Sequence, residues 1–301
     1  MTSSSTLGRE PAEALGAQAA PAAIRPPETQ PAPKASRLPD ARAHPRASRP
    51  SKATRWRTAV VIGASSGIGA ALANRLGAQG TRVALVARRG ELLNARIAEL
   101  EERFGPGCAR AYAHDVREVD EIPDLFGRIE DDLGPLELVV YAAGVMPRIG
   151  WEDYDSAADR ETLEINLIGA VAWLNEAADR FRRRGGGTIV GIGSVAGDRG
   201  RGGNPAYAAS KAGLANYLES LRHRLLYDGV RVVTVKPGFV DTPMTAGLPG
   251  LRGVVSADRA AELILRAAAR GRAVAYIPER WRWVSLVVRA IPSRLLARLR
   301  I

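Results

Sequence analysis

Tyr207 and Lys211 stand four residues apart in NPAYAASKAG, thirteen residues after Ser194 in IVGIGSVAG. Residues at i and i+4 share a helix face, so the Lys211 ammonium can lie beside the Tyr207 phenol and is expected to lower its pKa by stabilising phenolate. A phenol tuned in that way can pass a proton to a carbonyl oxygen or take one from a hydroxyl. Of 43 basic residues only four are lysine, at 34, 52, 211 and 236, so the chain writes a surface cation almost always as arginine. A lysine kept at 211 suits a site that needs a compact ammonium with a movable proton, which a guanidinium cannot supply. Read singly, each residue has a structural alternative: Ser194 a strand-end turn, Asn166 a hydrogen bond inside a helix, Tyr207 a core aromatic. Their joint order along the chain argues for chemistry.

A glycine-rich segment lies upstream, in TAVVIGASSGIGAALANRLGAQG. A short apolar strand over 58–62 runs into Gly63, Gly67 and Gly69, then into an alanine-rich amphipathic helix ending near Gly80. Glycines let a backbone turn tightly and approach a pyrophosphate, and the N–H groups of a helix N-terminus receive its charge. A structural turn would look similar by itself. The strand before, the helix after and a second strand in TRVALVARR strengthen the dinucleotide reading.

Together GASSGIG, Asn166 in EINLIGA, Ser194, Tyr207, Lys211 and PGFVDTPM resemble the classical short-chain dehydrogenases/reductases over roughly residues 57 to 277. The resemblance implies a single doubly wound parallel-sheet Rossmann domain that binds NAD(P) and transfers hydride to or from a carbonyl or carbinol carbon. It assigns Gly63, Ser65, Ser66, Gly67, Ile68 and Gly69 to the pyrophosphate loop, Asp115 and Val116 to the adenine side, and Ala143 and Gly144 to the floor of the cleft. Pro237, Gly238, Val240 and Thr242 would border the nicotinamide. Ser194 would donate to the substrate oxygen, Tyr207 would move its proton, Lys211 would hold the phenol and the nicotinamide ribose, and Asn166 would place a water that refills the relay. Two departures stand out. The usual N-N-A-G of the fourth strand is Tyr141-Ala142-Ala143-Gly144, without the amide that steadies the central strand, and Ile62 replaces a threonine before Gly63. Both are expected to alter stability more than chemistry.

A carboxylate at the end of the second strand would bond the ribose hydroxyls of NAD and repel an extra phosphate, whereas this chain has Ala87-Arg88-Arg89. An arginine at 88 suits the 2′-phosphate, so NADP(H) is expected in preference to NAD(H). The alternative is a solvated arginine pair opening a helix.

Alternating patterns place strands near 58–62, 82–87, 109–113, 137–141, 188–193, 230–235 and 273–277, and helices near 67–79, 91–104, 118–132, 157–183, 205–227 and 256–270. Strands as continuously apolar as LELVVYAAG imply a parallel α/β sheet covered on both faces. The domain is expected to span 56–278. Before it, residues 1–55, rich in Pro, Ala and Arg, read as a disordered basic arm without the apolar core of a secretory signal. After it, 279–301 read as a basic amphipathic helical tail.

The net charge of +11 belongs to the two ends: residues 1–55 hold nine Lys/Arg and four acids, residues 266–301 nine Arg and one acid. In WRWVSLVVRAIPSRLLARLRI the apolar run is far shorter than the ~20 residues of a membrane span. Tryptophan beside arginine instead suits a helix lying on anionic lipid. The alternatives are a helix packed on the substrate cleft or on a partner copy. Aliphatics between the arginines argue against nucleic acid as a partner. The single Cys108, expected inside a buried strand, fits a reducing cytoplasm, and three scattered histidines suggest no metal. Pairing through the two long helices would give a homodimer or homotetramer.

The tail, with GSVAGDRGR and KPGFVDTPM, also resembles the reductase partner of the decaprenylphosphoryl-ribose epimerase system, which implies a lipid-linked carbonyl or alcohol substrate at the cytoplasmic face of a membrane. A soluble ketoreductase of acyl or small-molecule substrates, with the tail as a lid over a substrate loop at 245–256, stands beside it. So does a non-catalytic NADP-binding sensor or scaffold, against which the intact Asn166, Ser194, Tyr207 and Lys211 argue.

Overall fold

The computed structural model describes residues 56–248 and 250–298. The arm expected at 1–55 lies outside them, as do the last three residues of the tail. Seven parallel strands form one sheet in the order β3-β2-β1-β4-β5-β6-β9: β1 (Thr58–Ile62), β2 (Arg82–Ala87), β3 (Ala109–Ala113), β4 (Leu138–Tyr141), β5 (Gly187–Ile192), β6 (Val230–Pro237) and β9 (Val274–Ile277). The order reverses at β1, which pairs with β2 on one side and β4 on the other. Ligands of such sheets bind in the crevice at that switch point, beyond the carboxyl ends of the strands.

Every residue of β1 and β4 is buried, as helices on both faces require. One face carries α1 (Gly67–Ala78), α2 (Gly90–Phe104) and α7 (Ala257–Ala269), whose Leu72, Leu76, Leu100 and Ile264 pack on the sheet. The other carries α3 (Ile122–Leu133), α5 (Gly169–Arg184) and α6 (Pro205–Arg224), with Phe126, Trp173, Phe181, Leu214 and Leu218 in its core. Ile62, which stands where the family pattern has a threonine, is fully buried in this second layer.

The helix expected over 157–183 is not continuous. It consists of α4 (Ser156–Leu163), a π turn over Glu164–Ile168 and then α5. A π turn adds a residue to one helical turn, rotates the side chains it carries and is common at functional sites. Asn166 sits in it. Tyr141, at the other departure from the family pattern, reaches from the end of β4 and donates its phenol hydrogen to the Ile165 carbonyl at 2.5 Å. This buried hydroxyl ties the end of β4 to the π turn that carries Asn166.

Cys108 is half-buried and precedes β3, a correction to its expected place inside a strand: it ends the turn in which Gly105 and Gly107 adopt positive φ. A two-residue parallel pair, β7 (Val240–Asp241) with β8 (Val255–Ser256), pins both ends of the segment between them. The tail forms α8 (Trp281–Ala290) and α9 (Ser293–Arg298), separated at Pro292, which cannot continue a helix. No described helix is long and apolar enough to cross a membrane.

Candidate active site

The glycine loop at the end of β1 is shaped by backbone crowding. Gly63 has φ +91, and a Cβ there would lie 2.5 Å from the Ala143 nitrogen; a Cβ on Gly69 would overlap the Gly63 carbonyl. Gly67, at φ +57, faces the Thr242 methyl. Ser66 is the extended N-cap of α1, yet its side chain caps nothing, and the first turn carries no acid. The helix therefore offers free N–H groups and its positive end to an anion. Beside this loop Arg89 donates to the Ser65 hydroxyl at 3.2 Å. Arg88, at the end of β2, stands 3.8 Å from Asp115 and 3.9 Å from Glu161. Asp115 is held below the usual carboxylate range mainly by its hydrogen bond from Arg117. Val116 is buried against Gly169.

Ser194 follows β5 as the N-cap of a short 3-10 turn, its hydroxyl accepting from the Ala196 N–H at 3.1 Å. Across from it, Tyr207 lies in the first turn of α6, fixed there by the Asn204 cap, whose side-chain oxygen accepts the Tyr207 N–H at 3.0 Å. Burial pushes the Tyr207 phenol above its ordinary value, and a hydrogen bond from Ser194 partly opposes the rise. Lys211, one turn on, is buried, and complete desolvation brings its pKa down to about 8. Its ammonium donates to the Ile192 carbonyl at 3.1 Å and sits 5.7 Å from the centroid of the Tyr207 ring. This corrects the expectation that Lys211 depresses the phenol. The ammonium addresses the ring and a strand-end carbonyl, and Ser194 is the group that acts on the oxygen.

Asn166 is fully buried, and its side chain is committed. Its amide donates to the Val145 carbonyl at 2.9 Å and to the Ser210 hydroxyl at 3.1 Å, while its oxygen accepts the Val145 N–H at 2.8 Å. Ser210 passes the chain on to the Tyr207 carbonyl at 2.7 Å. The side chain therefore fixes the loop after β4 and ties it to α6. A Cβ on Gly144 would lie 3.2 Å from the Asn166 oxygen and 3.3 Å from the Lys211 nitrogen, so a side chain there would crowd both groups. Tyr141, Arg89 and Ser210 had not been singled out as site residues; the signal for Tyr141 was a lone phenol ending an apolar strand.

At the opposite rim, β6 ends in Pro237, and Gly238 donates to the Ile277 carbonyl at 3.0 Å. The Trp281 indole of α8 presses on Gly238 so closely that no Cβ fits, and it meets Phe239 edge-on at 5.3 Å between centroids. Val240 is buried, and its carbonyl accepts the Thr245 hydroxyl at 2.6 Å. Gly63, Arg88, Gly144, Ser194 and Pro237 thus all lie at or just beyond the carboxyl ends of the parallel strands, the end at which such sheets bind their ligands.

A doubly wound sheet with a glycine loop at an uncapped helix end and a Ser-Tyr-Lys cluster beside it defines a dinucleotide-dependent oxidoreductase. The short chain dehydrogenase family model matches residues 57–250, and the chain belongs to that family. It is an NAD(P)-dependent short-chain dehydrogenase/reductase. An uncharacterized oxidoreductase of Mycobacterium tuberculosis is 35% identical over 243 residues, covering 79% of this chain and 95% of the relative. The cis-4-hydroxycyclohexanecarboxylate dehydrogenase of Sinomonas cyclohexanicum is 32% identical over 225 residues, 73% of this chain and 88% of its own. Among solved structures, actinorhodin polyketide ketoreductase with NADPH superposes with a TM-score of 0.65 at 28% identity, covering 74% of this chain and 96% of that one.

Proposed function

We propose that this protein interconverts a ketone and a secondary alcohol with NADP(H), within a catalytic domain spanning 56–278. The observation that carries the reading is the buried pair of Tyr207 and Lys211, one helical turn apart on α6 with the ammonium 5.7 Å from the ring centroid, and Ser194 near the phenol. The nicotinamide, when bound, supplies or accepts the hydride. Ser194 polarises the substrate oxygen, and Tyr207 delivers its proton from a phenol that burial keeps protonated at neutral pH. Lys211, with a pKa near 8, can release or regain a proton close to neutrality. Asn166 and Tyr141 hold the loop and the π turn against which this cluster is built. Arg88 and Arg89, in place of a carboxylate at the end of β2, favour the 2′-phosphate. A preference of about tenfold or more in kcat/KM for NADPH over NADH is expected from one charge-assisted contact. Parity, or an NADH preference, in ketone-dependent cofactor oxidation removes that assignment. A dimer or tetramer joined through α5 and α6 completes the reading.

The tail supports a second element, a substrate that is hydrophobic or lipid-linked and met at the cytoplasmic face of a membrane. In α8 the polar Ser285 is the buried residue, while Trp283, Val284, Leu286 and Val287 face outward. Ser285 lies beside Asp198, which holds Lys236 and takes the Tyr276 hydroxyl at 2.9 Å. Arg280 donates to the Gly253 carbonyl at 2.6 Å, and Arg199 to the Ser293 hydroxyl at 2.8 Å. The helix is thus fastened to the substrate side by its polar face and leaves its apolar face, with Arg282 and Arg289, to the outside. Such a surface suits an anionic bilayer. Full-length protein is expected to sediment with phosphatidylglycerol vesicles at low salt, and the Trp283→Ser/Leu286→Ser/Val287→Ser variant to stay in the supernatant. Wild type that remains in the supernatant would favour a soluble ketoreductase whose tail only walls the cleft.

A further inference from the structure

Arg201 lies in GDRGRGGN, the segment that joins Ser194 to Tyr207. It is half-buried, its Nε is out of reach of solvent, and no hydrogen bond or ion pair holds it among the described residues. Burial pushes the guanidinium down from its ordinary value, with only the field of Asp198 opposing. Asp198 is already taken by Lys236 and Tyr276, with Ser285 beside it. Arg222 shows what a structural arginine under similar desolvation does: it donates to the Val232 carbonyl at 2.9 Å, the Thr234 hydroxyl at 2.9 Å and the Ala273 carbonyl at 2.7 Å. Arg199, two residues before Arg201, bonds the tail. Arg201 alone of these three has no acceptor.

Its segment packs against loops that follow the carboxyl ends of the strands. Gly202 packs under the Trp151 ring, and the Asn204 amide donates to the Pro147 carbonyl at 2.9 Å, so this segment abuts the loop after β4. Arg148 of that loop reaches the Ala246 carbonyl, at 2.6 Å, in the segment between β7 and β8. Arg201 therefore belongs to the segment that joins Ser194 to Tyr207 and packs on the loop after β4, which in turn meets the segment between β7 and β8. A half-buried cation whose Nε is shut off from solvent and unpartnered is costly, and that cost is offset when an anion arrives. We propose that Arg201 receives an anionic group of the substrate, a carboxylate or a phosphate, while Ser194 and Tyr207 engage its carbonyl or hydroxyl. This rests on the oxidoreductase reading above and adds the substrate's charge.

Titration calorimetry and turnover of the full chain test it with levulinate against its methyl ester, and with dihydroxyacetone phosphate against dihydroxyacetone. In Arg201→Leu the dissociation constant for the preferred anionic ketone is expected to rise about 10- to 100-fold, the loss of a charge-assisted contact, with the neutral partner unchanged. Arg201→Lys should recover only part, because a point charge cannot bind bidentately. The pair that responds tells carboxylate from phosphate. The proposal is overturned if wild type binds neither anion better than its neutral partner, or if Arg201→Leu weakens charged and neutral ligands alike. Turnover without Arg201-dependent discrimination would retain the oxidoreductase and remove the anion site. Arg201-dependent binding without cofactor oxidation would do the reverse.

Discussion

Tyr207→Phe is expected to lower kcat for ketone reduction by roughly 10²–10⁴-fold, the usual worth of a positioned general acid. The substitution removes one oxygen and leaves the ring, so the packing of the Lys211 ammonium over its face persists. The Asn204 cap on the Tyr207 N–H is also untouched. Cofactor affinity and thermal stability should therefore change little while turnover collapses. Retention of most activity, with the same pH profile, would place the proton source elsewhere.

Lys211→Met is expected to abolish turnover and, at neutral pH, to stabilise the fold. Burial lowers the Lys211 pKa to about 8 from the 10.5 of a free side chain. Between those values the unfolded chain binds more protons than the folded one, so this residue makes stability rise with pH across that window. Below it the full cost of burying the ammonium is present, at most about 3 kcal/mol from the size of the shift. Methionine removes that cost and leaves the Ile192 carbonyl without its donor, which returns about 1 kcal/mol. The net gain at pH 7 is then on the order of 2 kcal/mol, or several degrees in Tm. Buried tyrosines also respond above pH 10, so the measured quantity is the difference between wild type and variant. A variant less stable than wild type at pH 7, or a difference that does not shrink from pH 8 to 10.5, would contradict this account of the lysine.

The sheet was legible because parallel strands buried on both faces must be apolar throughout, and 58–62 and 82–87 match β1 and β2 residue for residue. The glycine loop was equally plain, since Gly63 and Gly69 stand where no side chain fits. The π turn was not legible: one extra residue in a helix leaves apolar spacing nearly intact. The relation of Lys211 to Tyr207 was half legible. Spacing put both on one helix face, but only the packing of α6 against the end of β5 sends the ammonium to Ile192 and over the ring. The inverted face of α8 was hidden for a similar reason: Ser285 is buried because Asp198, Lys236 and Tyr276, distant in sequence, form a polar socket for it. The tie made by Tyr141 was not legible either, because its acceptor, the Ile165 carbonyl, lies 24 residues on in the π turn.

The central claim is that hydride passes between a nicotinamide and a carbonyl carbon beside Tyr207. Incubation of the wild-type chain with NADPH deuterated at the reactive ring carbon and a ketone panel, followed by mass spectrometry of the alcohols, tests it directly. One deuterium at the carbinol carbon of at least one product, absent with Tyr207→Phe, is the predicted result. Alcohol formed without deuterium from either face of the ring, or no alcohol from any ketone despite bound NADPH, would contradict it.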